Sequence, residues 1–432
     1  MSLLRPIRSF IGSLSGRVLI ALLLGLVLGA LAQAGGAMPS WLVSTAEAVG
    51  SIWLGGLQMT VIPLVLALLV VGVGKVADAM SAGRLTARAI GLFTALLVVA
   101  IVLTLVGVQA AFAVWPVDAD SARALIAGAT GAEAPPPPQA VEFGAWLRSL
   151  APSNPVAAAA ENAILPLVIF ALFFAFAITR LPAHQKTLLV DIFDAVADAM
   201  IVIVNWVLWA APVGVFALAL TLGLRGGLGS TGAILHYVIL TSGGCILVAL
   251  AAYPLAAVLG RVPVGRFARA IAPAQVVAFS TQSSLGTLPV MVERARDHLG
   301  VPEHVAGLVL PLAVAIFRLT SPVANLAVVL FICHVSGVEP TLAQFIAAGV
   351  VAFAVSISSV GLPGQVSFFV SIAPICLAMG APVELLPLLL AVEVIPDIFR
   401  TVGNVSADLA VTAILNRGAD PAVDEAVAPA DS

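Results

Sequence analysis

Charge is what this chain lacks. Of 432 residues only 9% are charged, 61% are hydrophobic, and the mean hydropathy is +1.14. A soluble domain carries about 25% charged and about 45–50% apolar residues. The composition therefore excludes an ordinary soluble domain and describes a polytopic membrane protein. The net charge is only −3 and no basic block occurs, which gives no ground for a nucleic-acid partner. Cysteine is equally sparse. Cys245, Cys333 and Cys376 stand apart, in or beside apolar runs, and form neither a disulfide framework nor a zinc motif. No H-E-x-x-H occurs. No A-x-A-like cleavage site follows the first apolar run, so that run reads as a retained span rather than a signal peptide.

What is present is apolar length. A helix needs about 20 apolar residues to cross a bilayer. Eight candidate spans lie near 18–34, 49–73, 90–115, 157–180, 198–223, 233–260, 304–335 and 385–415. Two further apolar regions are interrupted. The first, 270–292, is broken by Ser283-Ser284-Leu285-Gly286-Thr287, and the second, 342–382, by Ser356-Ile357-Ser358-Ser359-Val360-Gly361-Leu362-Pro363-Gly364. Polar backbone at membrane depth is tolerated only inside protein or along a cavity, so both read as re-entrant helical hairpins. Each precedes a full span, which makes an internal repeat of hairpin and span. Such paired interruptions point to a transporter's binding site.

Basic residues orient the chain. Arg5, Arg8, Arg17, Lys75, Arg84, Arg88, Arg180, Lys186, Arg261, Arg266, Arg269, Arg294 and Arg296 all fall on one side if eight spans start from a cytoplasmic N-terminus. Both termini are then cytoplasmic, and the two hairpins enter from opposite sides. The segment 116–150, with Pro135-Pro136-Pro137-Pro138, reads as an external loop, and 417–432 as a disordered acidic tail. Asp191, Asp194 and Asp198 share a helix face, read as solvated or paired with inside basic loops rather than as a metal site.

Two arginines, Arg318 and Arg400, lie deep in apolar stretches, where an ionised group normally faces a cavity or a partner. Glu393, Asp397, Arg400, Asn404 and Asp408 follow at spacings of 4, 3, 4 and 4, which makes one polar stripe on a helix. A packed face of mutually neutralised charges is the bland reading. Five polar groups beside two broken hairpins favour a ligand. Arg400 can hold a carboxylate through two parallel bonds, and Asp397, one turn earlier, can accept from an ammonium. Together they describe an anionic ligand that bears an amine.

The segment Asp397-Ile398-Phe399-Arg400-Thr401-Val402-Gly403-Asn404-Val405-Ser406-Ala407-Asp408 resembles the last helix of the dicarboxylate/amino acid:cation symporter family. These are the glutamate and aspartate transporters and related neutral amino acid exchangers. Ser283-Ser284-Leu285-Gly286-Thr287-Leu288-Pro289 resembles the family's first hairpin tip, Gly361-Leu362-Pro363-Gly364 its second, and Leu310-Pro311-Leu312 the start of its seventh helix. The resemblance implies an all-α membrane fold of eight transmembrane helices and two re-entrant hairpins, with inverted repeats and an elevator mechanism. It implies a homotrimer in the cell membrane, a transporter and not an enzyme, with no cofactor beyond a sodium or proton coupling ion. It divides the chain into scaffold helices 1–3 at 1–115 (the third joining the transport domain), an external loop and scaffold helices 4–5 at 116–232, and a transport domain at 233–416.

By the same resemblance, Arg400 binds the substrate's side-chain carboxylate and Asp397 its amino group. Thr401 and Asn404 add hydrogen bonds. Ser283, Ser284 and the first tip hold the main-chain carboxylate. Gly361, Pro363 and Gly364 close above, and Thr320 lines the site. Asp408 and Asn404 correspond to a sodium site. One place departs from the family. Its seventh helix is normally broken by Asn-Met-Asp-Gly-Thr, where this chain has Phe317-Arg318-Leu319-Thr320-Ser321. Near Leu92 to Leu97 the third helix's usual hydroxyl ligands have no match either. Sodium coupling is therefore in question, and Arg318 is read as a tethered cation that neutralises Asp408 or Glu393. The functions weighed are an acidic amino acid or dicarboxylate transporter, a cation-independent uniporter or exchanger, and a non-transporting sensor. An intramembrane hydrolase is disfavoured because Asp397 and Asp408 share one helix face instead of opposing each other.

Overall fold

A computed structural model describes residues 14–35, 39–81, 83–130, 152–161, 163–226, 229–358 and 364–417. The described residues form helices and no strand. In lipid every backbone group must be bonded internally, and a helix does this within one segment. The helices are α1 Leu14–Gly35, α2 Ser40–Gln58, α3 Val61–Ser81, α4 Arg84–Val114, α5 Ala119–Thr130, α6 Pro155–Ala160, α7 Ile164–Ile178, α8 Ala183–Trp209 and α9 Ala211–Gly226. They continue as α10 Thr231–Val258, α11 Val264–Thr281, α12 Ser284–Leu299, α13 Glu303–Ile316, α14 Thr320–Val335, α15 Leu342–Ser358, α16 Gly364–Met379, a 3-10 turn Val383–Leu385, α17 Leu386–Val392 and α18 Val394–Asn416.

Several expected spans are longer or more broken than their hydropathy suggests. The second runs from Ser40 to Asp78 with an interruption at Met59 and Thr60. The expected span 157–180 is divided into α6 and the 15-residue α7, whose third residue, Pro166, has no N–H to bond backwards. The expected span 198–223 begins at Ala183 and bends by 56° where α8 meets α9, with Pro212 in the first turn of α9. Pro311, by contrast, sits inside α13. The span 304–335 breaks at Phe317-Arg318-Leu319, and the span 385–415 at Glu393. By length and apolar character, six stretches of the described residues can cross a membrane, or seven with the bent α8–α9 pair. The expected span short of that measure is 157–180.

Both interrupted regions form helical hairpins. α11 packs on α12 across a two-residue tip, and α15 packs on α16. Gln282 turns the first tip in the left-handed region, with φ of 52°. The external segment 131–151, the second tip 359–363 and the tail from 418 lie outside the described residues.

Two apolar cores result. One joins α1–α3, the second half of α4, α7–α9, α14–α17 and the start of α10. The other joins the first half of α4, the end of α10, α11–α13 and α18. The breaks at 317–319 and at Glu393 fall where the chain passes between the cores. The second half of the stretch Glu303–Val335 is enclosed, with Thr320–Cys333 buried throughout. Lipid faces the apolar exterior, as at Leu103 and Val106 of α4, each 66% exposed. Toward one end of the bundle Lys75 pairs with Asp194 at 3.7 Å and Lys186 with Asp78, so Asp194 is a partner of a basic residue as read from sequence.

Small residues set the closest helix contacts, as is common in membranes. α1 lies on α9, and a Cβ added at Gly29 would stand 2.4 Å from the Leu220 carbonyl oxygen, a backbone atom. Gly29→Ala should therefore destabilise the protein by about 1–3 kcal/mol, as overpacking does. Gly107 of α4 has nothing within 4 Å of such a Cβ. Gly107→Ala should be neutral or stabilise by up to about 1 kcal/mol. Thermal unfolding of the two variants in detergent checks this, and equal melting points would refute the close-contact argument.

Candidate functional site

The site lies where α18, α14 and α10 meet between the two cores. α17 ends and α18 starts at Glu393, because Pro396 in the first turn of α18 carries no N–H. Glu393 is thus the junction residue and not part of a continuous helical stripe, which corrects the sequence reading. It remains close to the stripe: Asp397 N–H donates to the Glu393 carbonyl at 2.9 Å. Glu393, Arg400, Asn404 and Asp408 are buried, with Arg400 and Glu393 each only 2% exposed, whereas Asp397 is half-buried.

Arg400 Nη2 stands 2.8 Å from Glu393 Oε1. The contact is a charge pair off the angle of a hydrogen bond. Neither Nε nor Nη2 of Arg400 has a hydrogen-bond acceptor among the described residues. Those two atoms form one edge of the guanidinium, the edge that takes a carboxylate with two parallel bonds. The other oxygen of Glu393, Oε2, accepts from the Tyr237 hydroxyl of α10. Tyr237 is fully buried and is one of two tyrosines in the chain. Sequence reading missed it. Its signal was a rare phenol in the middle of an apolar run.

A second network ties α18 to the start of α14. Thr320 N–H, an orphan donor at the helix start, donates to Asn404 Oδ1 at 3.0 Å. The Thr320 hydroxyl has Asn404 Oδ1 at 2.8 Å and the Arg400 carbonyl at 3.0 Å as acceptors. Asn404 therefore caps α14 from a different helix, and its Nδ2 keeps no hydrogen-bond partner among the described residues. Gly403 makes this approach possible. A Cβ there would lie 2.5 Å from Thr320 Cγ2 and 3.0 Å from the Cys245 carbonyl.

The other expected residues divide. Thr320 has its hydroxyl committed to α18, so it positions Arg400 and Asn404. Thr401 Oγ1 donates to the Asp397 carbonyl within the helix at 2.9 Å. Ser283 caps α12, its Oγ accepting from Gly286 N–H at 3.0 Å, so its side chain holds the tip. Ser284 opens α12 and is half-buried. No hydrogen bond joins Ser283 or Ser284 to Arg400, Asp397 or Asn404 among the described residues. The hairpin itself is fastened to α18, with Gln275 Nε2 donating to Ser406 Oγ at 2.8 Å. Gly361 and Pro363 lie outside the described residues, and Gly364 opens α16.

Arg318 occupies the break between α13 and α14. Its charge interacts with Asp397 and Asp408 and opposes that of Arg400. Asp408 is buried, neither carboxylate oxygen has a hydrogen-bond partner among the described residues, and Arg318 is its charge neighbour. Beside Arg318, Phe317 stacks on Phe93 of α4 with ring centroids 4.6 Å apart and planes 18° from parallel. Hard cations require oxygen ligands. The side chains here, a stacked pair of phenyl rings, Leu319 and a guanidinium, supply none, and no group of three His, Cys, Asp or Glu side chains gathers among the described residues. The side chains at this break do not fit a sodium ion.

The arrangement can grip a carboxylate at the Arg400 edge, accept an ammonium at Asp397 and donate an amide N–H from Asn404. Residues 14–418 match the model of the sodium:dicarboxylate symporter family. The chain is 29% identical to the proton/glutamate-aspartate symporter of Escherichia coli (strain K12), over 91% of this chain and 90% of that protein. It is 30% identical to the neutral amino acid transporter B(0) of Oryctolagus cuniculus, over 90% of this chain and 77% of that protein. It is 26% identical to the proton/sodium-glutamate symport protein of Bacillus subtilis (strain 168), over 94% and 92%. With a helical bundle that crosses the membrane several times and a buried arginine–carboxylate site at its centre, the chain belongs to the sodium:dicarboxylate symporter family, whose members are amino acid transporters and not enzymes.

Proposed function

We propose that this protein carries an acidic amino acid across the cell membrane without using sodium. The observation that carries the reading is the unbonded Nε–Nη2 edge of buried Arg400, one turn from Asp397. Glutamate or aspartate has a side-chain carboxylate for Arg400 and an ammonium for Asp397. A simple dicarboxylate would bring no ammonium for Asp397. A neutral amino acid, the substrate class in the name of the rabbit relative, would bring no side-chain carboxylate for the Nε–Nη2 edge of Arg400 and would leave that arginine paired with Glu393 alone. The name of the Escherichia coli relative, at similar identity, supports both the substrate class and protons as the coupling ion.

Arg318 is the substitute for a bound cation in this reading. It holds positive charge beside Asp408 permanently, since arginine does not deprotonate in proteins. The phenyl stack of Phe93 and Phe317 fills the space beside it. A homotrimer, eight spans with both termini cytoplasmic, a scaffold within 1–232 and a transport domain of 233–416 joined by the third helix, which moves as an elevator, complete the proposal. The family membership supports these.

The test is uptake of labelled aspartate and glutamate into proteoliposomes, with sodium and proton gradients imposed separately. Replacing sodium with choline should leave uptake unchanged. Accumulation that follows the sodium gradient would defeat the reading. Arg400→Ala should lower uptake at least about 100-fold, because removing one partner of a buried charge pair costs about 3–5 kcal/mol. Retained uptake of aspartate in that variant would remove Arg400 from the substrate site.

Arg318→Ala leaves Asp408 as an uncompensated buried charge and should lower uptake by at least about tenfold. If uptake and its indifference to sodium both survive the change, Arg318 is not a substitute cation.

A further inference from the structure

The buried and half-buried charges at the site do not balance. Glu393, Asp397 and Asp408 face Arg318 and Arg400, three carboxylates against two guanidinium groups. An acidic amino acid brings two carboxylates and one ammonium, a further negative charge. Adding it to a buried site with no place for sodium at the 317–319 break requires a compensating positive charge.

The geometry selects one acceptor. Asp397 must stay ionised to hold the ammonium, and Asp408 keeps Arg318 as its neighbour whether or not substrate is present. Glu393 alone loses its partner. Its Oε1 lies 2.8 Å from Arg400 Nη2, one of the two atoms that a substrate carboxylate needs. The substrate carboxylate and Glu393 Oε1 therefore compete for the same place beside the guanidinium. Once displaced, Glu393 would be a carboxylate with a single hydrogen bond, from Tyr237, in a fully enclosed place.

We infer that Glu393 is the proton acceptor coupled to substrate binding: the substrate's carboxylate displaces Glu393 Oε1 from Arg400, and Glu393 takes up one proton. The inference rests on the acidic amino acid reading. The step balances simply. Arg400 exchanges one carboxylate for another. Glu393 Oε1 gains a proton from the water that enters with the substrate and becomes a neutral acid, while Tyr237 continues to donate to Oε2. On release the substrate carboxylate leaves, Oε1 loses its proton to the receiving side, and the pair with Arg400 reforms. The groups that face Glu393 are Tyr237 and Cys245 from α10, and Asp397 and Arg400 from α18 itself. Arg318, from the α13–α14 break, acts on it only through Asp397 and Arg400.

The experiment is calorimetry of aspartate binding to the full chain in lipid nanodiscs, in buffers of different ionisation enthalpy, across pH. Wild-type protein should take up about one proton per aspartate, and its Kd should rise about tenfold per pH unit on the alkaline side. Glu393→Gln should bind with proton uptake near zero and a flat pH profile, and Glu393→Asp should restore both. Glu393→Gln that still takes up one proton overturns the assignment. Should Glu393→Gln not bind, Glu393→Asp decides: a displaced pH midpoint supports the assignment, and an unchanged midpoint overturns it. Wild-type protein that binds aspartate with no proton uptake overturns the assignment and leaves the substrate reading intact. Wild-type protein that binds no acidic amino acid overturns both.

Discussion

A permanent positive charge enclosed between two apolar cores governs this structure. Arg400 cannot lose its proton, and a buried guanidinium without a counter-charge is prohibitively unfavourable. Much around it answers that demand. Glu393 lies at a helix junction within contact distance, Tyr237 holds Glu393 from the neighbouring helix, and Thr320 bonds the Arg400 carbonyl. The demand is met only in part. One edge of the guanidinium still has no hydrogen-bond acceptor among the described residues, and in the proposed function that edge takes the substrate carboxylate.

Broken helices are the second consequence. A continuous helix offers no free backbone groups and cannot bring two distant turns together. The interruptions at 317–319 and at Glu393 fall where the chain crosses from one core to the other, and the start of α14 meets the body of α18 in a polar seam. Asn404 closes the start of α14 from across that seam, and Gly403 permits the approach.

The break in the seventh long stretch keeps its backbone role after losing the residue types expected there. Phe317 and Leu319 offer no side-chain oxygen, yet the helix still stops after Ile316 and restarts at Thr320. Packing maintains the interruption: Phe317 is held against Phe93. The charge of Arg318 then falls beside Asp408 and Asp397, where a relative that binds sodium would gain its positive charge from solution. A tethered cation does not dissociate, so it can order the site but cannot drive a cycle. Any driving ion has to act on a group that changes partner, the role proposed here for Glu393.

Apolar content and the length of the runs determine that the chain lives in a membrane, and the spacing of Asp397, Arg400, Asn404 and Asp408 determines that they share a face. Both follow from local rules, the bilayer thickness and the helical repeat, which need no knowledge of neighbouring segments. The two hairpins were legible for the same reason, because runs such as Ser283-Ser284-Leu285-Gly286 and Gly361-Leu362-Pro363-Gly364 disfavour a continuous helix wherever they sit. Tertiary structure alone decided the rest. The 56° bend at Ala210, the division before α7 and the junction at Glu393 depend on how each proline-bearing turn packs. The partnership of Tyr237 with Glu393 joins residues 156 apart in sequence, that of Thr320 with Asn404 residues 84 apart, and that of Phe93 with Phe317 two different helices. No periodicity encodes such pairs. They arise because enclosed polar groups must find partners and enclosed rings must fill space, and only the assembled bundle determines which ones are in reach.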